Sequence, residues 1–583
     1  MMDFNQLKKN LKKDYSGFKS IPVALLSDSA SQLLAQAICG YGYEVKIHFD
    51  LYEADYQQVD AQIYNKQSDL YKKNPAFVII HQSSEHLLKT FYDCPLADRS
   101  LFAEDQLKII SERYRAISSG MPSRVLVNMF IELDDGVFGN YAVKEETSFL
   151  YQVRKLNMLL MDLARQNPGL FIYDLASLQG KSGYANIFDP KMYYQADLVF
   201  SLDFLVPVAK SITDIILAIT GSFKKAIVTD LDNTLWGGTI GDDGVEGIEI
   251  GTLGIGKFYS EFQRWLKELK YRGILIAVCS KNTEAIAKEP FTNHPDMVLQ
   301  LDDIAVFVAN WETKVENIRY IQSVLNIGMD SMVFIDDNPF EREMVKSAIP
   351  EILVPTLPED PVEWLVYLRG LNLFETASYT EEDQVRTTQY QVEQKRENLQ
   401  QRFANEQEFL ESLDMVAVVG PFDRFSIPRI AQLSQRSNQF NLRTVRYTEE
   451  QVASISSSPE FLTLSFTLDD RFGKYGLISA VILQALSENE IFIDTWIMSC
   501  RVLKRGMENL TLNNIVKLAE QKGYKIITGE YIPTKKNEIV KNHFRDLGFD
   551  FVNNKWVMEV SAYRERPVPI RILKSSGEKI QIK

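Results

Sequence analysis

The chain has 583 residues and a formal net charge of −14, with 78 acidic against 64 basic side chains. That length exceeds what one hydrophobic core serves, so three or four domains are expected. The acid excess excludes sequence-independent nucleic-acid binding, which draws on a basic surface. No run approaches the ~20 apolar residues of a membrane span, and residues 1–20 lack the apolar centre of a secretory leader. Cys39, Cys94, Cys279 and Cys500 show no metal-ligand spacing, and the five histidines form no ligand pair. A cytoplasmic protein with free thiols and no membrane partner is the expectation.

Val23-Ala24-Leu25-Leu26 reads as a buried strand leading into Ser27-Asp28-Ser29 and a helical run, Leu33, Leu34, Ala37 and Ile38. Strands over 76–80, 124–130 and 170–175 alternate with helices over 101–117 and 147–166, a parallel α/β layout. With Ser29 at the nucleophile position and Asn128 at the oxyanion site, residues 1–220 resemble the SGNH hydrolase fold. That family also needs an Asp and a His near the domain's end, two residues apart. Asp189-Pro190-Lys191-Met192 has methionine where the base belongs, so Ser29 has no base to activate it. A catalytically inactive scaffold or docking domain is expected.

The most informative run is Ala226-Ile227-Val228-Thr229-Asp230-Leu231-Asp232-Asn233-Thr234, an apolar strand that ends in two carboxylates spaced to share a side. A second apolar strand over 274–279 delivers Ser280 and Asn282. Lys314 opens a helical pattern, Val315, Ile318, Ile321 and Leu325, and Met332-Val333-Phe334-Ile335 runs into Asp336-Asp337. In an open parallel sheet the carboxyl ends of different strands meet at one crevice, so these groups converge although distant in sequence. Singly, each has an ordinary reading as a turn, a cap or a solvated helix residue. Together they suit phosphoryl transfer. A carboxylate attacks phosphorus, its neighbour handles the proton, Lys314 and Ser280 hold phosphate oxygens, and Mg²⁺ offsets the charge on hard carboxylate ligands. The metal candidates are Asp230 and Asp336, with Asp337 and Asp232 completing the acid set.

These four motifs, over residues 222–370, resemble the haloacid dehalogenase superfamily of phosphatases and phosphotransferases. The resemblance implies Asp230 as nucleophile, Asp232 as general acid and base, Thr234 and Ser280 as phosphate ligands, Lys314 as the charge-neutralising base, and Asp336 with Asp337 at the metal. The second acid, Asp232, favours phosphoryl transfer over dehalogenation. A Gly-rich flap over 237–251 and one amphipathic helix are all that separate the first two motifs, so no cap domain is expected. The site is then open to a macromolecule or covered by another part of the chain.

Residues 371–412, rich in Glu, Gln and Arg, are expected to form surface helices leading to a last domain, 413–583. There, strands and helices succeed one another as in GNAT acyltransferases, and Cys500-Arg501-Val502-Leu503-Lys504-Arg505-Gly506 is expected to open a long helix. The family's loop would have glycine at Lys504, so a pantetheine-gripping or capping role is favoured over acetyl-CoA transfer. The expected fold is α/β. Its three domains are a central Rossmann-like core without a cap, an SGNH/flavodoxin-like α/β domain and a GNAT-like α+β domain.

The run from Asp230 to Gly238, the run from Phe334 to Glu343, Gln435 to Asn441, and Ser499 to Leu503 together resemble the FkbH-like, or HAD-IIIC, family over nearly the whole chain. The resemblance implies removal of a phosphate from 1,3-bisphosphoglycerate and loading of a glyceryl unit, as a thioester, on an acyl carrier protein. From chemistry, Cys500 beside Arg501 and Arg505 is either an acyl relay favoured as thiolate or a small buried core residue. Arg436, Asn438 and Asn441 either orient the substrate or cap a helix. A simple sugar- or acyl-phosphatase and a non-enzymatic assembly scaffold remain as alternatives.

Overall fold

The computed structural model describes residues 2–574 except 385, 401, 402, 404 and 535. The chain divides into two compact units, Met1–Leu217 and Ala218–Lys583. Among the described residues no helix is long and apolar enough to cross a membrane.

The first unit is built on a five-stranded parallel sheet: β1 (Lys19–Ser27), β2 (Ile47–Glu53), β3 (Phe77–His81), β4 (Arg124–Met129) and β5 (Leu170–Asp174), in the order β2-β1-β3-β4-β5. This is a flavodoxin-like order, and the continuous burial of β3 fits a central strand covered on both faces. Of the residues that carry the hydrolase resemblance, Asn128 and Asp189 hold backbone in place. The Ser29 hydroxyl is buried 3.3 Å from that of Ser27. Asn128 accepts from the Gln82 amide and donates to its carbonyl, both at 2.9 Å. Asp189 caps the helix Pro190–Ala196.

The second unit holds two sheets. The first is parallel: β6 (Ala226–Thr229), β7 (Leu275–Ser280), β8 (Val306–Ala309) and β9 (Met332–Ile335), in the order β8-β7-β6-β9. Side-chain alternation along β6 feeds two apolar layers. Ile227 packs with Phe262 and Leu266 of the helix Gly254–Tyr271, while Ala226 and Val228 pack with Ile318 and Ile321 of the helix Lys314–Leu325. As expected, the described residues between Asp232 and β7, and between Ser280 and Lys314, hold no inserted domain.

The second sheet comprises β10 (Met415–Gly420), β11 (Phe461–Asp470), β12 (Gly473–Ala485), β13 (Glu490–Met498), β14 (Ile526–Gly529), β15 (Asp550–Val552), β16 (Lys555–Glu559) and β17 (Ile570–Lys574). Its order is β15-β16-β14-β13-β12-β11-β10-β17, antiparallel except where β13 meets β14 and β10 meets β17.

Two expectations are corrected. Among its described residues, the 371–412 segment is more than a surface linker: several of its side chains are buried and stitch it into both neighbours. Asp383, fully buried, accepts from Arg386 at 2.6 Å, from Gln432 at 2.8 Å and from Arg436. Tyr390 belongs to the core beside β6 and Phe409 to the core of the second sheet. A buried carboxylate without such partners would cost several kcal/mol, which is why the helices stay docked. Second, Cys500 does not stand at the start of a long helix. Cys500–Val502 is a single 3₁₀ turn, and the helix begins at Met507, after left-handed Lys504 (φ 61°) and Gly506 (φ 86°) break the chain.

Buried His81, whose Nδ1 lies 2.9 Å from the Tyr173 hydroxyl, has its pKa pulled down to about 4 by burial. The unfolded chain titrates near pH 6.5, so between these values it binds a proton that the folded unit does not, and folding weakens as pH falls. Denaturant unfolding should therefore show about 2 kcal/mol of stability lost between pH 6.5 and 5 through this group. His81→Gln should flatten the slope; an unchanged slope would refute the assignment.

Candidate active site

The first motif leaves β6 as a tight loop rather than a continued strand. Asn233 takes the left-handed region (φ 53°), and its Oδ1 accepts from the Gly238 amide at 3.0 Å. Gly237 pairs with Glu249 through two backbone hydrogen bonds of 3.0 and 2.8 Å, an approach so close that a Cβ there would meet the Glu249 side chain at 2.7 Å. Buried Gln263 anchors the loop from beneath, donating to the Leu235 carbonyl at 2.8 Å while accepting from Val298 and Leu299 amides.

The parallel register brings the ends of β6 and β9 side by side, since Thr229 pairs with Ile335. Asp230 and Asp336 follow directly, and Lys314, 3% exposed at the first turn of its helix, lies between them. Its ammonium donates to Asp230 Oδ2 at 2.6 Å and also to Asp336 Oδ2. Burial alone would lower the Lys314 pKa, but the two carboxylates outweigh it and hold it well above its usual value. Burial pushes Asp336 up to about 7, with the Asp230 charge adding to the rise and Lys314 opposing it. Asp337 is raised for the same reasons.

Carboxylate oxygens of Asp230, Asp336 and Asp337 lie within 4.8 Å of one another. Asp230 Oδ1 is buried without a hydrogen-bond partner. Three acids around one ammonium leave an excess of negative charge on hard oxygen donors, and the orphaned oxygen is one that an incoming cation or phosphoryl group would satisfy. The residues present therefore fit a divalent cation such as Mg²⁺.

Asp232, expected among the metal ligands, has its carboxylate outside that triad. Its Oδ1 accepts from the Trp236 indole and the Ile240 amide, both at 3.0 Å, and its Oδ2 accepts from Asn282 at 3.2 Å. Burial nevertheless raises its pKa, so it holds a proton more readily than a free aspartate. Thr234 is fully buried, and its hydroxyl accepts from the Asp337 amide at 3.1 Å, clipping the first motif to the last. Ser280 closes β7 and is buried.

Two residues of this crevice were not singled out from sequence. Trp236 orients Asp232, and Arg342 binds the backbone carbonyls of Asp336 and Asp337 at 2.7 and 2.6 Å. Both stand inside the motif runs, four residues after Asp232 and five after Asp337, and that spacing was the available signal.

The remaining candidates are elsewhere. Cys500, Arg436 and Asn438 line one cavity of about 860 Å³ together with Lys225. Lys225 precedes β6 and Asp230 follows it, so this cavity lies at the opposite end of the sheet from the aspartates. Asn441 does not line it. Its side chain accepts from Thr444 and donates to Val445, holding its own loop. The loop before Met507 is no open phosphate cradle either, because the Lys504 amide is already bound by Glu508 at 2.9 Å.

The family profile described as FkbH, N-terminal domain, matches residues 22–217. A crystal structure of the N-terminal part of the protein BF1531 from Bacteroides fragilis, containing a phosphatase domain complexed with Mg, is similar at 48% identity. It covers 65% of this chain and 100% of that one, with a TM-score of 0.62. Weaker similarity links about a quarter of the chain to N-acetyltransferases. The ribosomal-protein-S18-alanine N-acetyltransferase of Escherichia coli is 14% identical over 26% of this chain and 99% of that one, TM-score 0.21. Ard1 of Thermoplasma volcanium is 12% identical over 25% and 97%, TM-score 0.21. No curated protein matches the chain. With nearly half its residues shared across the full length of the Bacteroides structure, and with the N-terminal profile matched as well, the chain belongs to the FkbH-like family of the haloacid dehalogenase superfamily.

Proposed function

We propose that the chain is a Mg²⁺-dependent phosphohydrolase or phosphotransferase working through an aspartyl-phosphate. The observation that carries this reading is the buried Lys314 ammonium between Asp230 and Asp336, with Asp230 Oδ1 left without a partner. A Mg²⁺ ion held by Asp230, Asp336 and Asp337 would supply charge compensation for a dianionic phosphoryl group.

The chain's own groups do the rest. An Asp230 carboxylate oxygen forms a bond to phosphorus as the bond to the leaving oxygen breaks. Asp232, kept protonated more readily by burial and aimed by Trp236, gives its proton to that oxygen. The same carboxylate then takes a proton from the water that opens the acyl phosphate, returning Asp230. Lys314 holds the nucleophile in place and balances charge as it builds. Phosphate and dephosphorylated product leave the crevice.

In its more specific form, the phosphorylated substrate is 1,3-bisphosphoglycerate and the chain transfers a glyceryl unit to an acyl carrier protein, with Cys500 carrying the acyl group. Support comes from Cys500 sharing its cavity with Arg436 and Asn438. Attack of the Cys500 thiolate on the acyl phosphate carbonyl forms a 3-phosphoglyceryl thioester and releases one phosphate; a carrier thiol then displaces Cys500, and hydrolysis of the remaining phosphate monoester at Asp230 leaves the glyceryl thioester on the carrier.

Phosphate release from phosphoesters and acyl phosphates should require Mg²⁺ and fall about a thousandfold or more in Asp230→Asn; wild type as inert as that variant throughout would favour an assembly scaffold. Asp232→Asn should lose about 10²- to 10⁴-fold on alkyl phosphates and much less on p-nitrophenyl phosphate, whose leaving group needs no proton. Equal losses on both would remove Asp232 from the proton-transfer role. Intact mass after incubation with 1,3-bisphosphoglycerate should show a hydroxylamine-labile adduct that Cys500→Ala lacks. Absence of any adduct in wild type, with an authentic carrier protein present, retires the relay while leaving the phosphatase untouched.

A further inference from the structure

Three carboxylates and one imidazole gather in the first unit, outside the carboxyl ends of β1 and β3. In the order β2-β1-β3 the chain leaves β1 toward β2 on one side and reaches β3 on the other, and open parallel sheets hold ligands at such a switch point. Ser27 of β1 pairs with His81 of β3, so the segments that follow these strands start level. Asp28 accepts from the Ser83 amide at 2.9 Å, where the helix Ser84–Asp93 begins. Asp197 is fixed over the end of β1 by the Ala30 amide, which donates to its carbonyl at 3.2 Å. Its carboxylate meets His86 Nε2 at 2.9 Å and accepts from the Tyr56 hydroxyl at 2.6 Å.

Glu85 leaves the cluster incomplete. It is 9% exposed, and its Oε2 is buried without a hydrogen-bond partner. Burial pushes its pKa up to about 7, with His86 opposing the rise and the Asp28 and Asp197 charges adding to it, so Glu85 faces the same space as those groups. Burial pushes Asp28 up to about 6 as well. Arg113, which also acts on Asp28, is committed to Asp60 through bonds of 2.7 and 3.0 Å. A carboxylate held away from water without a donor is costly, and an arriving cation would relieve it.

Tyrosines complete the surroundings. Burial and then the Glu85 charge push Tyr184 up to about 12, and burial, Asp197 and Glu85 raise Tyr193, which places both rings beside the acids. Tyr184 stacks on Phe188 at 5.8 Å between centroids, and Phe188 meets Tyr193 at 5.4 Å. Tyr184 is 40% exposed and Tyr56 46%. Ring faces beside carboxylates attract a cation, and an oxygen without a donor calls for an N–H. The carboxylates are too spread for a bare metal ion: among the described residues, only Asp230, Asp336 and Asp337 bring ligand atoms within 4.8 Å of one another.

We propose that this crevice of the first unit binds a small organic cation, a primary ammonium that donates to Glu85, Asp28 and Asp197 while its carbon chain lies against Tyr184 and Tyr193. The inference concerns the first unit alone and does not rest on the phosphatase reading.

Isothermal titration calorimetry on the full-length protein compares butylamine hydrochloride, tetramethylammonium chloride, potassium chloride and myo-inositol at matched ionic strength, with excess Mg²⁺ to occupy the Asp230 acids. Butylammonium should bind saturably and more tightly than tetramethylammonium, which offers no N–H, while potassium and inositol give no saturable heat. Glu85→Gln should raise Kd about tenfold, the loss of one charge-assisted contact, and Tyr184→Ala about threefold. Asp230→Asn should leave Kd where it is. Far-UV circular dichroism checks that the variants fold, and Tyr184→Ala, at an exposed position, decides the matter if Glu85→Gln does not. Heat no greater than potassium gives, tetramethylammonium or inositol binding as tightly as butylammonium, an unchanged Kd in the folded variants, or loss of binding in Asp230→Asn each overturns the proposal.

Discussion

The buried ammonium of Lys314 between Asp230 and Asp336 is the contact on which the rest of the second unit depends. Two carboxylates from neighbouring strand ends cannot be buried side by side without a compensating cation, and a buried lysine cannot remain charged without them. The three stabilise one another only because β6 and β9 run in register and the helix Lys314–Leu325 packs its first turn over their ends. The arrangement still leaves negative charge in excess and one Asp230 oxygen without a partner. Structural stability and readiness for a cation with a phosphoryl group are thus the same feature of the site.

The two ends of the same short sheet have opposite electrostatic character. The carboxyl ends gather acids around Lys314; the amino ends gather basic side chains around Lys225 and Cys500. The helix Arg386–Gln400 and the end of β13 line the basic end, and the 371–412 segment is tied down through Asp383 and through the bidentate pair of Arg396 with Asp470, both bonds at 2.7 Å. A chain with net negative charge therefore holds a strongly basic interior, which overall composition conceals.

Much of the aspartate crevice was legible in sequence because its determinants are local. An apolar run of four residues followed by Asp-x-Asp, and another followed by Asp-Asp, specify strands and what they deliver. Lys314 was legible because the helical spacing of Val315, Ile318 and Ile321 begins there. Asp232 was read too broadly, since the choice between a metal ligand and a carboxylate held by Trp236, Ile240 and Asn282 depends on which partners the fold supplies. Cys500 was misplaced on a helix because its spacing continues the pattern of Met507 to Gln521, while the left-handed backbone at Lys504 and Gly506 interrupts it. Asn441 resembled a substrate ligand by composition, yet its polar atoms are used within its own loop. The 371–412 segment looked solvent-facing because charged residues dominate it, and only pairing between elements shows that Asp383 is an anchor.

By itself the sequence determined the α/β class, the order of the phosphoryl-transfer motifs, the absence of an inserted cap between them and the residue types that chemistry requires. These follow from periodicity and short-range spacing, which act over a few residues. Tertiary structure alone decided that Trp236 and Arg342 orient the acids, that Lys225 joins Cys500, Arg436 and Asn438 around one basic cavity, and that this cavity and the aspartates occupy opposite ends of β6. Those outcomes depend on strand register and on packing between segments some two hundred residues apart, where burial and charge pairing are set by neighbours that no local pattern names.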